Sequence, residues 1–589
     1  MTRPARSNSA LSTSLLFALF TTSIAWGQAT AVSQISGVVQ DATGAAVPGA
    51  QLRVSQTETS MTRTSTASTD GSYTIPNLPV GPYRLEVSAA GFSTYVQTGI
   101  VLQVNSNPVI NPVLQIGAVT ETVSVTADAA MAETHTNAIS QVIDQTRIVE
   151  LPLNGRNPTQ LILLSGAAAA PPTGGDLNTS KNYQTQSSII SIAGGQISGT
   201  NFLMDGGDNN SAFTNLNLPF PFPDALQEFS VQTSAIPARY GLHPGGVVNL
   251  VTKSGSNQFH GDLFEFLRNG VFNARNFFAP RRDTLKRNQF GGTIGGPVLH
   301  DKLFFFTGYQ GTRNRSDPAT TISFVPNQAM LNGDFTTFLS RTCTSNPVTL
   351  KAPFVNNQIS PALFNPQALA LAKYLPVSSD PCGRVQYGIP NNGDEDQVIG
   401  RVDYYLTEKH SIFGRYFYSD FHNDPVFNGT NALTTTKPGV ADRSQSLTLG
   451  DNYSFGPNLI SSFHATGTRL AVTRGSAPNL FSPADVGINI SDLVSHFITL
   501  NVNNSFNLGC GTCAPGYFNT NSWQVAEDVD YIRGSHQIAF GVNWIHDQLN
   551  DVSNNLSNGT FTFNGSLTGN TLADFLIGRP NDFMQSNPQ

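Results

Sequence analysis

The segment Trp523-Gln524-Val525-Ala526-Glu527-Asp528-Val529-Asp530-Tyr531, the turn Arg533-Gly534-Ser535-His536 and the segment Gln537-Ile538-Ala539-Phe540-Gly541-Val542-Asn543-Trp544 decide the fold. Trp523, Val525, Val529 and Tyr531 share one face, and Gln524, Asp528 and Asp530 share the other. After the turn, Ile538, Phe540, Val542 and Trp544 alternate with Gln537 and Asn543. A period of two on either side of a short polar turn is a β-hairpin. Aromatics stand near the strand ends with aliphatics between them, which suits a lipid-facing surface with interfacial girdles. The polar face opposite suits a hydrated lumen. A soluble sandwich also alternates. Strands of about ten residues, the length that spans a bilayer, separated alternately by short turns and long Asn/Pro-rich loops, point instead to a membrane barrel.

The same pattern runs back to Asn257. Val398, Gly400, Val402, Tyr404 and Leu406 lie opposite Arg401 and Asp403. Beyond the turn Thr407-Glu408-Lys409-His410, Ile412, Gly414, Tyr416 and Tyr418 lie opposite Arg415 and Ser419. Leu459, Phe463 and Ala465 alternate with Ser462, His464 and Thr466 after Gly456-Pro457-Asn458. Charged residues make up only 12% of the 589, with 52 Gly and 35 Pro, and a mean hydropathy of -0.14. That composition favours short strands and polar loops over long solvated helices. A net charge of -7 leaves no basic footprint for nucleic acid.

The chain begins as an exported protein does. Arg3 and Arg6 precede the apolar run Leu11 to Ile24, and Ala25-Trp26-Gly27 supplies small residues for cleavage, so residues 1–27 are expected to be a removed signal peptide. Export meets oxidising conditions, and Cys343, Cys382, Cys510 and Cys513 are expected to form loop disulfides. No second Cys or His pair stands at zinc-ligand spacing. Asp205, Asp208 and Asn210 have some flavour of a calcium loop but lack its closing bidentate Glu, so a turn is expected there. Gly291 to Gly296 lacks the Lys-Ser/Thr of a phosphate loop and reads as a Gly-rich wall strand. No catalytic elbow or metalloprotease helix is present, and neither enzymatic activity nor a cofactor or metal is expected.

Residues 33–115 read as a small β-sandwich, with strand Ile35 to Val39, turns at Asp41 to Gly44 and Asp70-Gly71, and strands at Leu52 to Val54, Tyr73 to Ile75 and Leu85 to Val87. The Gly-x-Val strand, Val47-Pro48-Gly49-Ala50, Asp70-Gly71-x-Tyr73 and Leu78-Pro79-x-Gly81-x-Tyr83 resemble a carboxypeptidase regulatory-like domain, an accessory module with no catalysis implied. Residues 137–255 mix short helical and strand signals. Asn201 to Gly206 reads as a buried strand ending in a turn, and Pro223 to Phe229 as a short helix. Four signals here occur in order: Asp205-Gly206, Leu226-Gln227-Glu228-Phe229-Ser230-Val231, Ala238-Arg239-Tyr240-Gly241, and the run Gly245-Gly246-Val247-Val248-Asn249-Leu250-Val251-Thr252-Lys253. They resemble the plug domain of TonB-dependent outer-membrane receptors. With Leu151 to Arg156 and the sandwich, the resemblance is to the Oar-like subgroup.

That resemblance implies a mainly β protein: an N-terminal sandwich, an α+β plug at 137–255, and the first part of an antiparallel transmembrane β-barrel at 256–589. A complete barrel of such a family needs more chain than follows Asn257, and a truncated barrel is expected. Within the linker 116–136, Glu121-Thr122-Val123-Ser124-Val125-Thr126-Ala127 resembles a TonB box, an extended peptide captured by strand addition. The last strand of the sandwich is the other reading of those residues. The implied function is TonB-dependent uptake of a scarce nutrient across the outer membrane, gated by the plug. The implied partners are a TonB-type energy-coupling protein, outer-membrane lipid, and a small-molecule, glycan or peptide substrate. The alternative is a surface adhesion or structural protein that binds without transport.

Overall fold

A computed structural model describes residues 33–586 except 105, 119–120, 127–137, 171–186, 188, 457, 512–513 and 534–535. The signal peptide expected at 1–27, Ala127 of the candidate box and Cys513 lie outside the described residues. The fold is mainly β.

The N-terminal domain is a sandwich. Strands β1 (Ser33–Val38) and β4 (Ser72–Leu78) form one layer. The other layer contains β2 (Gln51–Gln56), β3 (Thr62–Thr66), β5 (Gly81–Ser88) and β6 (Thr94–Leu102) in the order β3-β2-β5-β6. Leu52 and Val54 on β2 and Leu85 and Val87 on β5 point inward onto Ile35 and Tyr73, as the alternating sequence requires. A fifth strand, β7 (Thr122–Thr126), joins this sheet beyond Gln115, parallel to β6.

The plug is built on a five-stranded sheet. Its strands are β8 (Ile139–Asp144), β9 (Asn201–Met204), β10 (Gly207–Asp208), β11 (Leu226–Ser234) and β12 (Val247–Thr252), in the order β8-β11-β12-β9-β10. Among the described residues of the plug, helix is confined to short pieces such as α1 (Gln145–Glu150), capped by Asp144. The helix expected at Pro223 to Phe229 is a correction: one 3-10 turn, Pro223–Ala225, leads straight into strand β11. Phe229 and Val231 are both fully buried beside Leu250 and Val248 of β12. That cross-strand packing overrides a helical reading seven residues long.

From His260 the chain forms one antiparallel sheet of nine strands: β13 (His260–Asn269), β14 (Lys286–Leu299), β15 (Leu303–Arg315), β16 (Gly393–Thr407), β17 (His410–Asn423), β18 (Gly439–Gly456), β19 (Leu459–Gly475), β20 (Gly516–Arg533) and β21 (His536–Ser553). They pair in chain order, and among the described residues β13 and β21 leave the two outer edges open. Connections at 300–302, 408–409, 457–458 and 534–535 are short; those at 270–285, 316–392, 424–438 and 476–515 are long. Short turns face the periplasm and long loops the outside in barrels of this kind. Among the described residues no helix is long and apolar enough to cross a membrane.

Register shows what the wall is for. One row across six strands reads Val402, Gly414, Leu449, Ala465, Val525, Trp544, without a charge. Val402, Leu449, Val525 and Trp544 are exposed, as a lipid-facing row must be. Most strands exceed the expected ten residues, reaching 18 in β18, β20 and β21. Their surplus lies on the long-loop side, where Arg443, Arg469 and Asn521 replace the apolar residues of the outward face. The strands therefore leave the bilayer and continue as a polar collar.

The lumen is not the hydrated space the alternation suggested. Phe306, Ile399 and Phe417 point into it and complete the hydrophobic core of the plug with Phe202, Met204 and Leu250. The long loops also differ from their sequence reading. Segments from 316–392, 424–438, 476–515 and 554–586 fold together over a common core that includes Phe335, Leu371, Leu433, Leu480, Leu500 and Phe575. The four-stranded sheet of this cap pairs Phe506–Leu508, Thr499–Val502, Thr560–Phe563 and Asp582–Met584.

Candidate functional site

The site is the contact between the plug and the wall. Met204 and Gly207 face each other across a two-residue turn, Asp205-Gly206, with φ of 51° and 84°. Two successive left-handed residues make a type I′ hairpin, and Asp-Gly is the dipeptide that adopts it at least cost. The turn thrusts Asp205 toward the wall. Its carboxylate accepts from the backbone N–H and the hydroxyl of Thr252, both at 2.9 Å. It also accepts from Arg401 Nη1 at 2.8 Å and Arg415 Nε at 3.2 Å.

A single registered row of the wall receives the whole turn. Arg401, Arg415, Thr448, Thr466 and Gln524 stand opposite one another on β16, β17, β18, β19 and β20. The two arginines hold Asp205. The two threonines lie so close to Gly207 that a Cβ there would sit 2.8 and 2.3 Å from their hydroxyls. Gln524 Oε1 accepts from the Asp208 N–H at 2.8 Å. Arg401 is held from behind by Asp403, at 2.9 Å. Arg415 also donates from Nη2 to the Met204 carbonyl at 3.2 Å and Thr448 Oγ1 at 2.7 Å and from Nη1 to Ser446 Oγ at 2.9 Å, so its fully buried guanidinium is bonded on all three nitrogens. Like charges placed opposite each other on paired strands repel. Arg401 and Arg415 are such a pair, and the plug carboxylate together with Asp403 neutralises them.

Two further arginines brace the plug. Arg239 donates to Asp528 at 2.8 Å and to Asp530 at 3.2 Å on β20. Arg156 pairs with Asp224 inside the plug, and its guanidinium lies over the rings of Phe264 and Phe266 on β13, 4.5 and 4.1 Å from their centroids.

The other residues singled out by sequence divide among three places. Tyr240 is buried with Leu203 and Val247, and Gly241 ends the single turn Ala238–Tyr240. Gly245 and Gly246 pack against Gly199 and Ile192, and Asn249 sits in mid-sheet between Leu203 and Ser230. All five belong to the scaffold behind the turn. The candidate box, as far as Thr126, lies apart from them in the sandwich sheet. Cys343 and Cys382 are joined in a disulfide within the cap, and Cys510 is disulfide-bonded. Of the calcium-like triplet, Asp205 is spent on the arginines and Thr252, and Asn210 Oδ1 accepts from the Phe202 N–H at 2.7 Å. Arg239, Arg401, Arg415 and Gln524 were missed as site residues. The legible signal was two arginines in register across the hairpin turn at 408–409.

The sandwich meets the short-turn end. Thr62 Oγ1 donates to Glu408 Oε1 at 3.0 Å, Arg63 donates to the Glu408 carbonyl, and Asn257 N–H donates to the Glu58 carbonyl at 2.8 Å. The Val104 N–H donates to Glu228 of the plug. Burial pushes the Glu228 carboxyl up to about 7, against the pull of that N–H. A cavity of about 490 Å³ lies between the three parts, with Gln56 and Glu58 on the sandwich side and Asp205 and Arg401 on the other.

Residues 251–589 match the family described as outer membrane beta barrel domain. The chain belongs to that family. It is accordingly an outer-membrane protein, and residues 34–115 match the carboxypeptidase regulatory-like domain. It is 28% identical over 304 residues to the TonB-dependent transporter Oar of Myxococcus xanthus, an alignment covering 49% of this chain and 28% of that protein. The chain therefore spans little more than a quarter of the curated relative it matches. Among solved structures it is similar to the outer membrane transporter YddB from Escherichia coli, with 13% identity, a TM-score of 0.41, and coverage of 72% of this chain and 50% of that one. It is also similar to the siderophore receptor PirA from Acinetobacter baumannii, with 15% identity, a TM-score of 0.39, and coverage of 70% and 48%.

Proposed function

We propose that the protein takes up a scarce nutrient across the outer membrane in a TonB-dependent manner, with the plug as its gate. The observation that carries this is the row Arg401, Arg415, Thr448, Thr466 and Gln524 closing on residues 205–208 of the plug. A buried charge network holds while its partners stay in place and fails once one is displaced. It suits a stopper that must seal at rest and yield to a pull. The segment Glu121 to Ala127 is our candidate for the box through which a TonB-type protein delivers that pull. No catalytic step is proposed. The substrate is a small molecule, glycan or peptide, to be identified by growth of a knockout on defined nutrients. Deleting Glu121 to Ala127 from the intact protein should then abolish energised uptake of that nutrient while leaving its surface binding unchanged. Undiminished uptake would contradict the assignment. The cap favours a second function, surface adhesion without transport, because four outward loops share one packed core. In that case the knockout would lose attachment and no nutrient.

A further inference from the structure

We propose that the energy-coupling partner adds a strand to the outer edge of β7 while β7 remains in the sandwich sheet, so that the sandwich domain itself is what is gripped. The proposal rests on the transport function above and concerns how its partner engages.

The strand is tied in along its length. It pairs in parallel with β6 from Thr94↔Thr122 to Thr98↔Thr126. Its entry is pinned by the Thr94 N–H to the Glu121 carbonyl at 2.8 Å and by Ser93 Oγ to Glu121 Oε2 at 3.3 Å. Pulling it free breaks these bonds together, before any bond to a partner replaces them.

Its other edge has no paired strand among the described residues. Natural sheets guard such edges with lysine, proline, bulges or a covering loop. Thr122-Val123-Ser124-Val125-Thr126 carries no charge, no proline and no glycine, and Val125 is exposed. An unguarded, β-branched edge is a template for an incoming strand, which supplies main-chain donors and acceptors while alternate side chains give selectivity.

The domain so gripped is linked to the gate. The Val104 N–H holds Glu228 of the plug, and Gln56 and Glu58 line the cavity that Asp205 and Arg401 border from the far side. Drawing the sandwich away from the wall therefore opens that cavity and pulls on the plug in one movement.

Val96 and Ser124 are registered partners on β6 and β7, so the double substitution V96C and S124C allows the two strands to be stapled by oxidation. The probe is the purified periplasmic domain of the cell's own coupling protein, titrated by fluorescence anisotropy onto the detergent-solubilised intact protein. We expect the staple to form and the Kd to agree within about threefold between oxidised and reduced forms. Adding Val125→Lys should weaken binding by about tenfold or more without preventing the staple. Binding that falls by about tenfold on oxidation would overturn the proposal, because the strand must then leave the sheet to be captured. So would a staple that does not form, or binding indifferent to Val125→Lys. If the unsubstituted protein does not bind the probe at all, the transport function falls, and this proposal with it.

Discussion

The plug and the sandwich lean on the same wall with different chemistry. The plug presents a carboxylate to two lumenal arginines and shares a hydrophobic core with Phe306, Ile399 and Phe417. The sandwich meets the turns through hydrogen bonds of Thr62 and Arg63 to Glu408 and of Glu58 to Asn257, with one wall side chain, Tyr405, packed against its core. Buried apolar area and a desolvated charge network resist separation, whereas partly exposed polar contacts exchange readily with water. A pull from the periplasm thus loosens the sandwich from the wall before it dislodges the plug to which Val104 and Glu228 tie it.

The largest effect is expected at Arg415. Arg415→Ala leaves the buried carboxylates of Asp205 and Asp403 sharing Arg401 alone and should cost about 3–5 kcal/mol. Urea unfolding of the solubilised protein, with plug exposure followed by protease sensitivity, checks this. Arg415→Lys should restore only part of the loss, because one ammonium cannot reach Asp205, Met204 and Thr448 together. Phe417→Ala removes a ring from the shared core and should cost about 3 kcal/mol by the same measurement.

Glu228 joins the sandwich to the plug. Its carboxyl is raised from 4.5 to about 7 in the folded protein. The folded state then holds a proton that the unfolded state gives up, so this group's contribution to stability falls as pH rises from about 4.5 to about 7. Glu228→Gln should flatten that part of the pH–stability curve, and an unchanged slope would assign the dependence elsewhere. The smallest effect is expected at the rim. Thr62→Ala should cost less than about 1 kcal/mol, with plug protection from protease unaltered.

The wall was legible because its alternation is strict: Trp523 and Gln524, or Val402 and Arg401, fall on the faces their chemistry dictates. The lumenal side of Arg401 and Arg415 was legible for the same reason. Their shared partner was not, because Asp205 lies about two hundred residues earlier and no local pattern links the two. The extended character of residues 122–126 could be read from their β-branched side chains, but not that β6 would be their neighbour. The cap was least legible. Phe335, Leu480, Leu500 and Phe575 come from three different loops, each too polar and irregular to announce a core alone. Pro223 to Phe229 was misread because a seven-residue run of mixed composition carries no decisive period, and burial against β12 decided it.

The account stands on a lipid-embedded wall stoppered by the plug. Its most direct test is the conductance of the intact protein in a planar bilayer, with and without residues 138–252. The intact protein should pass no steady current, and the deleted form should open a large, stable conductance. A deleted form that conducts no more than the intact one would contradict the account.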